Sequence, residues 1–190
     1  MNRTIEHLRV LVVDDNHHMV NIVKTIMRGF GAKEFCDAKS AVDGYEIVKT
    51  EGVDLIITDY AMDQMDGCEF ARLIRLGEDS PNHYVPIIML SAYSERSRVE
   101  AARDAGVTEF CAKPVTATEL YRKVVSVINT HRPFIRTTMY FGPDRRRRKS
   151  DSYKGNDRRE NLFGPKAPAA PGNRNAEAVA ETGPALQKAG

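Results

Sequence analysis

The sequence predicts an α/β protein with a doubly wound, five-stranded parallel sheet, followed by a largely disordered, basic C-terminal tail. Short apolar runs alternate with longer segments of helical spacing over about the first 131 of the 190 residues. The best-defined runs are apolar at successive positions, as expected for parallel strands that helices cover on both faces. Polar residues with reactive side chains follow several of these runs, as they do in open α/β sheets.

Three runs define the central strands of the predicted sheet. Residues 8–13 read LRVLVV, residues 54–58 read DLIIT and residues 86–90 read PIIML. They are rich in β-branched residues, which favour extended backbone. Two shorter candidates, residues 34–36 and 108–111, complete the set of five strands.

Five helices are predicted between and after these strands, each from apolar spacing. Gly29 and Gly31 end the first helix, and Ser40 is a candidate N-cap of the second. The third follows a DG pair, and the fourth lies between the candidate N-cap Ser94 and Gly106. The fifth begins with the capping box TATE.

The chain divides into three predicted parts. Residues 5–131 form the α/β domain, residues 132–160 an arginine-rich extension, and residues 161–190 a disordered tail. Ala, Gly and Pro make up 16 of the last 30 residues, so that tail has few large apolar side chains to bury. The extension contains a repeat, because YFGPDRR at 140–146 returns as YKGNDRR at 153–159.

Charge and composition exclude several classes of protein. Residues 133–190 carry 12 Lys/Arg and 6 Asp/Glu, whereas residues 1–132 carry 16 and 20, so an acidic body has a basic tail. No apolar run approaches the roughly 20 residues of a membrane span, and the first residues lack the apolar core of a secretory signal. The three cysteines lack metal-type spacing. We therefore expect a cytoplasmic protein with no membrane insertion.

Side chains that suit phosphoryl chemistry follow the predicted strands. Asp14 and Asp15 follow the first strand, Asp59 the third, Ser91 the fourth and Lys113 the fifth. The carboxyl ends of parallel strands meet at one edge of a sheet, where three carboxylates would repel unless a hard cation such as Mg²⁺ lay between them. A metal-bound carboxylate beside an ammonium and a hydroxyl is equipped to accept a phosphoryl group.

This set resembles the receiver domain of two-component response regulators, the CheY-like family with its flavodoxin-like fold. The resemblance covers about residues 5–131. The matching motifs are LVVDD (11–15), LIITDYAM (55–62), MDG (65–67), PIIMLSA (86–92) and FCAKP (110–114).

The resemblance implies a role for each of these residues. Asp59 is the phospho-acceptor, Ser91 and Lys113 bind the phosphoryl oxygens, and Phe110 is the aromatic residue that changes rotamer on activation. The implied Mg²⁺ ligands are the carboxylates of Asp14 (through water), Asp15 and Asp59, and the carbonyl of Ala61. The small Ala61 side chain cannot orient an attacking water, which favours slow self-dephosphorylation. The protein is then no enzyme beyond autocatalytic phosphotransfer and self-dephosphorylation.

The arginine-rich extension resembles that of the Cle subgroup of CheY-like proteins. These carry an arginine-rich stretch beyond the receiver that binds cyclic di-GMP, and some act on the flagellar motor. Arginine pairs bidentately with phosphate and with guanine O6/N7, and an aspartate can accept from guanine N–H groups. The predicted cyclic di-GMP contacts are Asp144, Arg145, Arg146, Arg148, Asp157, Arg158 and Arg159.

The sequence leaves three functions open. The first is a single-domain response regulator, with a histidine kinase or phosphotransfer protein upstream and a protein target, such as the flagellar motor, downstream. The second is a phosphorelay carrier that passes phosphate to a His-containing partner. The third is a receiver that gates a non-specific nucleic-acid-binding arm, although the tail lacks a helix-turn-helix pattern and we do not expect DNA binding.

Overall fold

Five parallel strands form the sheet in the computed structural model, which describes residues 5–92, 95–129, 132–138 and 140–145. Their order across the sheet is β2-β1-β3-β4-β5, and all four neighbouring pairs are parallel. The strands are β1 (Arg9–Val13), β2 (Glu34–Ala38), β3 (Leu55–Asp59), β4 (Ile87–Ser91) and β5 (Glu109–Ala112). The predicted doubly wound sheet is confirmed.

The described residues include five α-helices that alternate with these strands, as predicted. They are α1 (His17–Gly29), α2 (Ala41–Thr50), α3 (Gly67–Leu76), α4 (Arg96–Asp104) and α5 (Ala117–Asn129). Ser40 caps α2 by accepting from the Asp43 N–H, and the Thr116 hydroxyl accepts from the Glu119 N–H at the start of α5. The predicted N-cap of α4 is wrong: Glu95 holds that position without a side-chain capping bond, and Ser94 lies outside the described residues.

Two apolar cores lie on opposite faces of the sheet. Leu11, Ile56 and Met89 belong to one core, which α2, α3 and α4 cover. Val12 and Ile57 belong to the other, which α1 and α5 cover. Because successive strand residues point to opposite faces, burial on both faces explains why the central strands are apolar at successive positions.

A two-stranded antiparallel hairpin follows α5, and the sequence analysis did not predict it. Its strands are β6 (Phe134–Arg136) and β7 (Phe141–Pro143). The rings of Phe134 and Phe141 lie 5.0 and 5.1 Å from that of Tyr84, in the loop before β4. The hairpin therefore packs against the edge of the domain where the strands begin.

Two expectations for the C-terminus fall outside the described residues. These are the disorder of residues 161–190 and the second repeat at 153–159. Within the described part of the chain, no helix combines the length and apolar character needed to cross a membrane.

Candidate functional site

The five side chains that the sequence singled out lie at the carboxyl ends of the strands. Asp14 and Asp15 follow β1, Asp59 and Ser91 end β3 and β4, and Lys113 follows β5. Strand register aligns these ends, since Asp59 lies beside Leu90, and Ser91 beside Ala112. Asp14, Asp59 and Ser91 are 2%, 8% and 1% exposed, whereas Asp15 is exposed.

Lys113 bridges the two buried carboxylates. Its Nζ lies 3.1 Å from Asp14 Oδ2 and 2.9 Å from Asp59 Oδ1. Backbone donors orient the same carboxylates: the Tyr60 N–H donates to Asp59 over 2.8 Å, and the Asn16 N–H donates to Asp14 over 2.8 Å. One cation and two backbone N–H groups thus stabilise the two nearly buried carboxylates.

Burial and the neighbouring charges together set the proton affinities at this site. It raises the pKa of Asp59 above its ordinary value, the nearby Asp14 adds to the effect, and Lys113 offsets it only in part. For Lys113, burial opposes the charged form, but the hydrogen bonds and negative charges of Asp59 and Asp14 outweigh it and raise the pKa. A further positive charge is therefore favourable beside these carboxylates.

The carboxylates suit a small, hard cation. One ligand oxygen each from Asp14, Asp15 and Asp59 lies within 4.8 Å of the other two. Two oxygens on opposite sides of a Mg²⁺ ion are about 4.2 Å apart, so one ion fits between them with little movement. Mg²⁺ keeps several water ligands, and the exposed Asp15 leaves a side open to solvent.

Gly67 lets the start of α3 lie directly against the end of β3. A Cβ at this position would collide with the Asp59 carbonyl oxygen. The Gly67 N–H donates to the Tyr60 carbonyl over 2.9 Å, which closes the loop that contains Ala61. The MDG motif therefore fixes the backbone around Asp59.

Comparison with known protein families identifies the response regulator receiver domain in residues 10–125, more than half of the chain. The chain belongs to this family. The receiver matches curated chemotaxis proteins over nearly their whole length. It is 29% identical to the chemotaxis protein CheY-3 of Vibrio cholerae over 63% of this chain and 90% of that protein. It is 31% identical to the chemotaxis protein CheY homolog of Campylobacter jejuni over 65% of this chain and 94% of that protein.

Solved structures agree with this assignment. A response regulator from Chloroflexus aurantiacus superposes with a TM-score of 0.59 and 26% identity, over 64% of this chain and 97% of its own. The receiver domain of a sensor histidine kinase from Pseudomonas aeruginosa superposes with a TM-score of 0.58 and 25% identity, over 65% and 98%. That structure has a magnesium ion coordinated in its active-site cleft.

Two further predicted residues belong to the receiver. Ala61 is exposed in the loop after β3. Phe110 in β5 is half-buried and packs against the core that α2, α3 and α4 cover. Sequence reasoning missed Tyr60, which orients Asp59 through its backbone N–H, because a main-chain contact leaves no mark on residue type.

Of the predicted ligand residues of the extension, the structure describes Asp144 and Arg145. Arg145 lies at the end of α4, where its Nη1 is 3.2 Å from Asp104 Oδ1. Asp144 packs by its backbone, with its N–H donating to the Pro133 carbonyl and its carbonyl accepting from Arg132. Outside the described residues lie Arg146, Arg148, Asp157, Arg158 and Arg159.

Proposed function

We propose that this protein is a single-domain response regulator in which phosphorylation of Asp59 switches the binding of a partner protein. The observation that carries this proposal is the buried Asp59 carboxylate, 2.9 Å from Lys113 and grouped with Asp14 and Asp15. In receivers such a carboxylate accepts phosphate. Its place at the end of a central strand keeps it rigid and accessible from one side only.

In the proposed reaction, an Asp59 oxygen attacks the phosphorus atom of a phosphohistidine. The new O–P bond forms as the P–N bond breaks, and the imidazole nitrogen keeps the electron pair and takes a proton from solvent. Lys113 and Ser91 then neutralise charge on the phosphoryl oxygens. The proposed Mg²⁺ ligands are Asp14 (through water), Asp15, Asp59 and the Ala61 carbonyl. Bound Mg²⁺ contributes positive charge to the same oxygens.

Phosphorylation is proposed to act through Ser91 and Phe110. A phosphoryl group that draws Lys113 and the Ser91 hydroxyl towards it removes Lys113 from Asp14. Phe110, only half-buried, has room to change rotamer when Ser91 moves. The phosphorylated state lasts because Ala61 offers no group to orient an attacking water, and no catalysis beyond this autophosphorylation and slow hydrolysis is proposed.

The test is labelling with acetyl phosphate in the presence of Mg²⁺. Asp59→Asn should abolish labelling. Asp63→Asn, which changes a carboxylate outside the cluster, should leave labelling intact. Equal labelling of wild type and Asp59→Asn would rule out Asp59 as the acceptor.

We also propose that the arginine-rich extension binds cyclic di-GMP. The doubled Y-x-G-x-D-R-R pattern supports this, because each copy combines a guanidinium pair, an aromatic ring and an aspartate. A non-specific polyanion site would bind any nucleic acid and weaken steeply with salt. Competition at moderate salt tests the proposal: GTP, cyclic di-AMP and random single-stranded DNA should displace cyclic di-GMP poorly.

The proposed partners are a histidine kinase or phosphotransfer protein upstream and a protein target downstream, in the cytoplasm. The names of the curated relatives favour a chemotaxis target such as the flagellar motor. The two alternatives, a phosphorelay carrier and a gated nucleic-acid-binding arm, separate on truncation of the extension. A carrier keeps its phosphotransfer without residues 146–190, whereas the other two functions lose ligand or nucleic-acid binding.

A further inference from the structure

The first copy of the repeat is packed against the receiver. Tyr140 is 6% exposed, and its hydroxyl donates to the Pro143 carbonyl over 2.7 Å. Phe141 is 9% exposed, and its ring lies 5.1–6.1 Å from three others, those of His83, Tyr84 and Phe134. Both aromatic residues of this copy therefore contribute to an internal contact.

The glycine of this copy allows two backbones to touch. A Cβ on Gly142 would lie 2.8 Å from the Gly106 Cα and 2.7 Å from the Tyr140 hydroxyl, closer than any carbon atom can pack. Gly106 itself has a φ of 90° in the loop between α4 and β5. The close approach thus serves docking of the hairpin on that loop.

Arg145 is paired and stacked within the chain. Its Nη1 lies 3.2 Å from Asp104 Oδ1, at the last residue of α4. Its guanidinium carbon lies 4.1 Å from the centre of the Tyr140 ring. A ligand that used Arg145 would have to compete with both contacts.

The hairpin also covers a buried cation in α3. Arg75 is 2% exposed; its Nε donates to the Gly106 carbonyl over 3.0 Å, and its Nη1 to the His83 carbonyl over 2.8 Å. The Phe134 ring lies over its guanidinium, 5.2 Å away. Burial lowers the pKa of Arg75 to about 9, so it remains charged at neutral pH. Loss of one of these contacts would leave more of a buried charge unpaired, at a cost in stability.

The second copy lacks the residue that anchors the first. Lys154 replaces Phe141, and Asn156 replaces Pro143, whereas the tyrosine, glycine, aspartate and both arginines are kept. An ammonium group in the place of the Phe141 ring would be buried among aromatic side chains at a high desolvation cost. The sequence of the second copy therefore does not suit the contact that the first copy makes.

We infer that the two copies have different roles. The described part of the first copy, Tyr140 to Arg145, is a docking motif that holds the extension on Arg75, Asp104 and Gly106 of the receiver. The direct contacts to cyclic di-GMP then come from the arginines beyond Arg145 and from the second copy. This assignment of contacts depends on the proposed binding of cyclic di-GMP, whereas the docking role does not.

Substitutions at equivalent positions of the two copies test this inference in the full-length protein. For docking, Gly142→Ala should lower the urea midpoint of unfolding, and Gly155→Ala should leave it unchanged. Equal midpoints for the two variants would overturn the docking role. This comparison decides that role even if wild type binds no cyclic di-GMP, a result that would refute the proposed ligand.

For the ligand, calorimetric titration with cyclic di-GMP compares Arg158→Ala with Arg145→Ala. Loss of a bidentate arginine–guanine contact weakens binding about tenfold or more, which we expect for Arg158→Ala. Arg145→Ala should change the dissociation constant by about twofold or less. An equal loss of affinity in both variants, or unchanged affinity in Arg158→Ala, would overturn the division of roles between the copies.

Discussion

Replacing Lys113 by alanine tests the electrostatic description of the acidic cluster. The ammonium group lies within 3.1 Å of both Asp14 and Asp59, which are only 2% and 8% exposed. Without it, two like charges face each other with little solvent between them. Removing one partner from a buried ion pair costs about 3–5 kcal/mol.

Proton binding limits this cost. A buried carboxylate that cannot remain charged takes up a proton. The free-energy cost of this protonation is about 1.36 kcal/mol for each pH unit above the ordinary pKa of about 3.9. The limit is therefore about 4 kcal/mol at pH 7 and about 1.5 kcal/mol at pH 5. A carboxyl group whose pKa is raised in the folded state destabilises the fold more as pH rises. We expect Lys113→Ala to lower the free energy of unfolding by about 2–4 kcal/mol at pH 7, and by less at pH 5.

Urea denaturation at pH 5 and pH 7, with and without Mg²⁺, measures this effect. Mg²⁺ brings positive charge to the same carboxylates, so it should stabilise the variant more than wild type. Lys49→Ala is the matched control, because Lys49 pairs with Glu46 on the exposed surface, where an ion pair contributes about 0–1 kcal/mol. The reasoning would be refuted if Lys113→Ala did not lower the free energy of unfolding, or lowered it equally at the two pH values.

Three further results are expected. Phe141→Ala should lower the free energy of unfolding by about 2–4 kcal/mol in urea denaturation, somewhat below the usual cost of a core Phe→Ala change because the site lies near the surface; an unchanged midpoint would contradict the packing of the hairpin. Gly67→Ala should weaken Mg²⁺ binding in a fluorescence or calorimetric titration, because a Cβ displaces the Asp59 backbone; wild-type affinity would show that the loop can adjust. The buried thiols of Cys68 and Cys111 should react slowly with iodoacetamide at pH 8 and rapidly in urea, because burial raises the pKa of each to about 11; fast reaction of the folded protein would contradict this.

The sheet and the acidic cluster could be predicted from sequence because their signals are local. β3, for example, is buried at every residue, so a run of apolar residues identifies it without knowledge of its neighbours. Asp59 and Ser91 follow such runs directly, and the topology of parallel strands brings their ends together. Both predictions needed only the pattern of the chain and the shape of a parallel sheet.

The hairpin could not be predicted in this way because its stability is tertiary. β7 is three residues long and contains Gly142 and Pro143, which have low strand propensity. It is a strand because Phe141 fills a place among other rings and Gly142 fits against the loop before β5. Arg75 is the counterpart on the receiver. In the sequence it resembles an ordinary surface residue of an amphipathic helix, whereas in the structure the Gly106 and His83 carbonyls and the Phe134 ring of the hairpin surround it.

The acidic cluster lies at the carboxyl ends of the strands, and the docked hairpin lies where the strands begin. Helix α4 contacts both regions. Arg98, in its first turn, has its guanidinium 5.1 Å from the ring centre of Tyr60, the residue after Asp59. Asp104, its last residue, pairs with Arg145 of the docking motif. A helix of this length, about 13 Å, behaves as a rigid body, so it cannot shift along its axis without changing both contacts. If α4 moves on rearrangement around Asp59 while the hairpin stays in place, the Asp104–Arg145 contact changes as well, at the point where the arginine-rich segment begins.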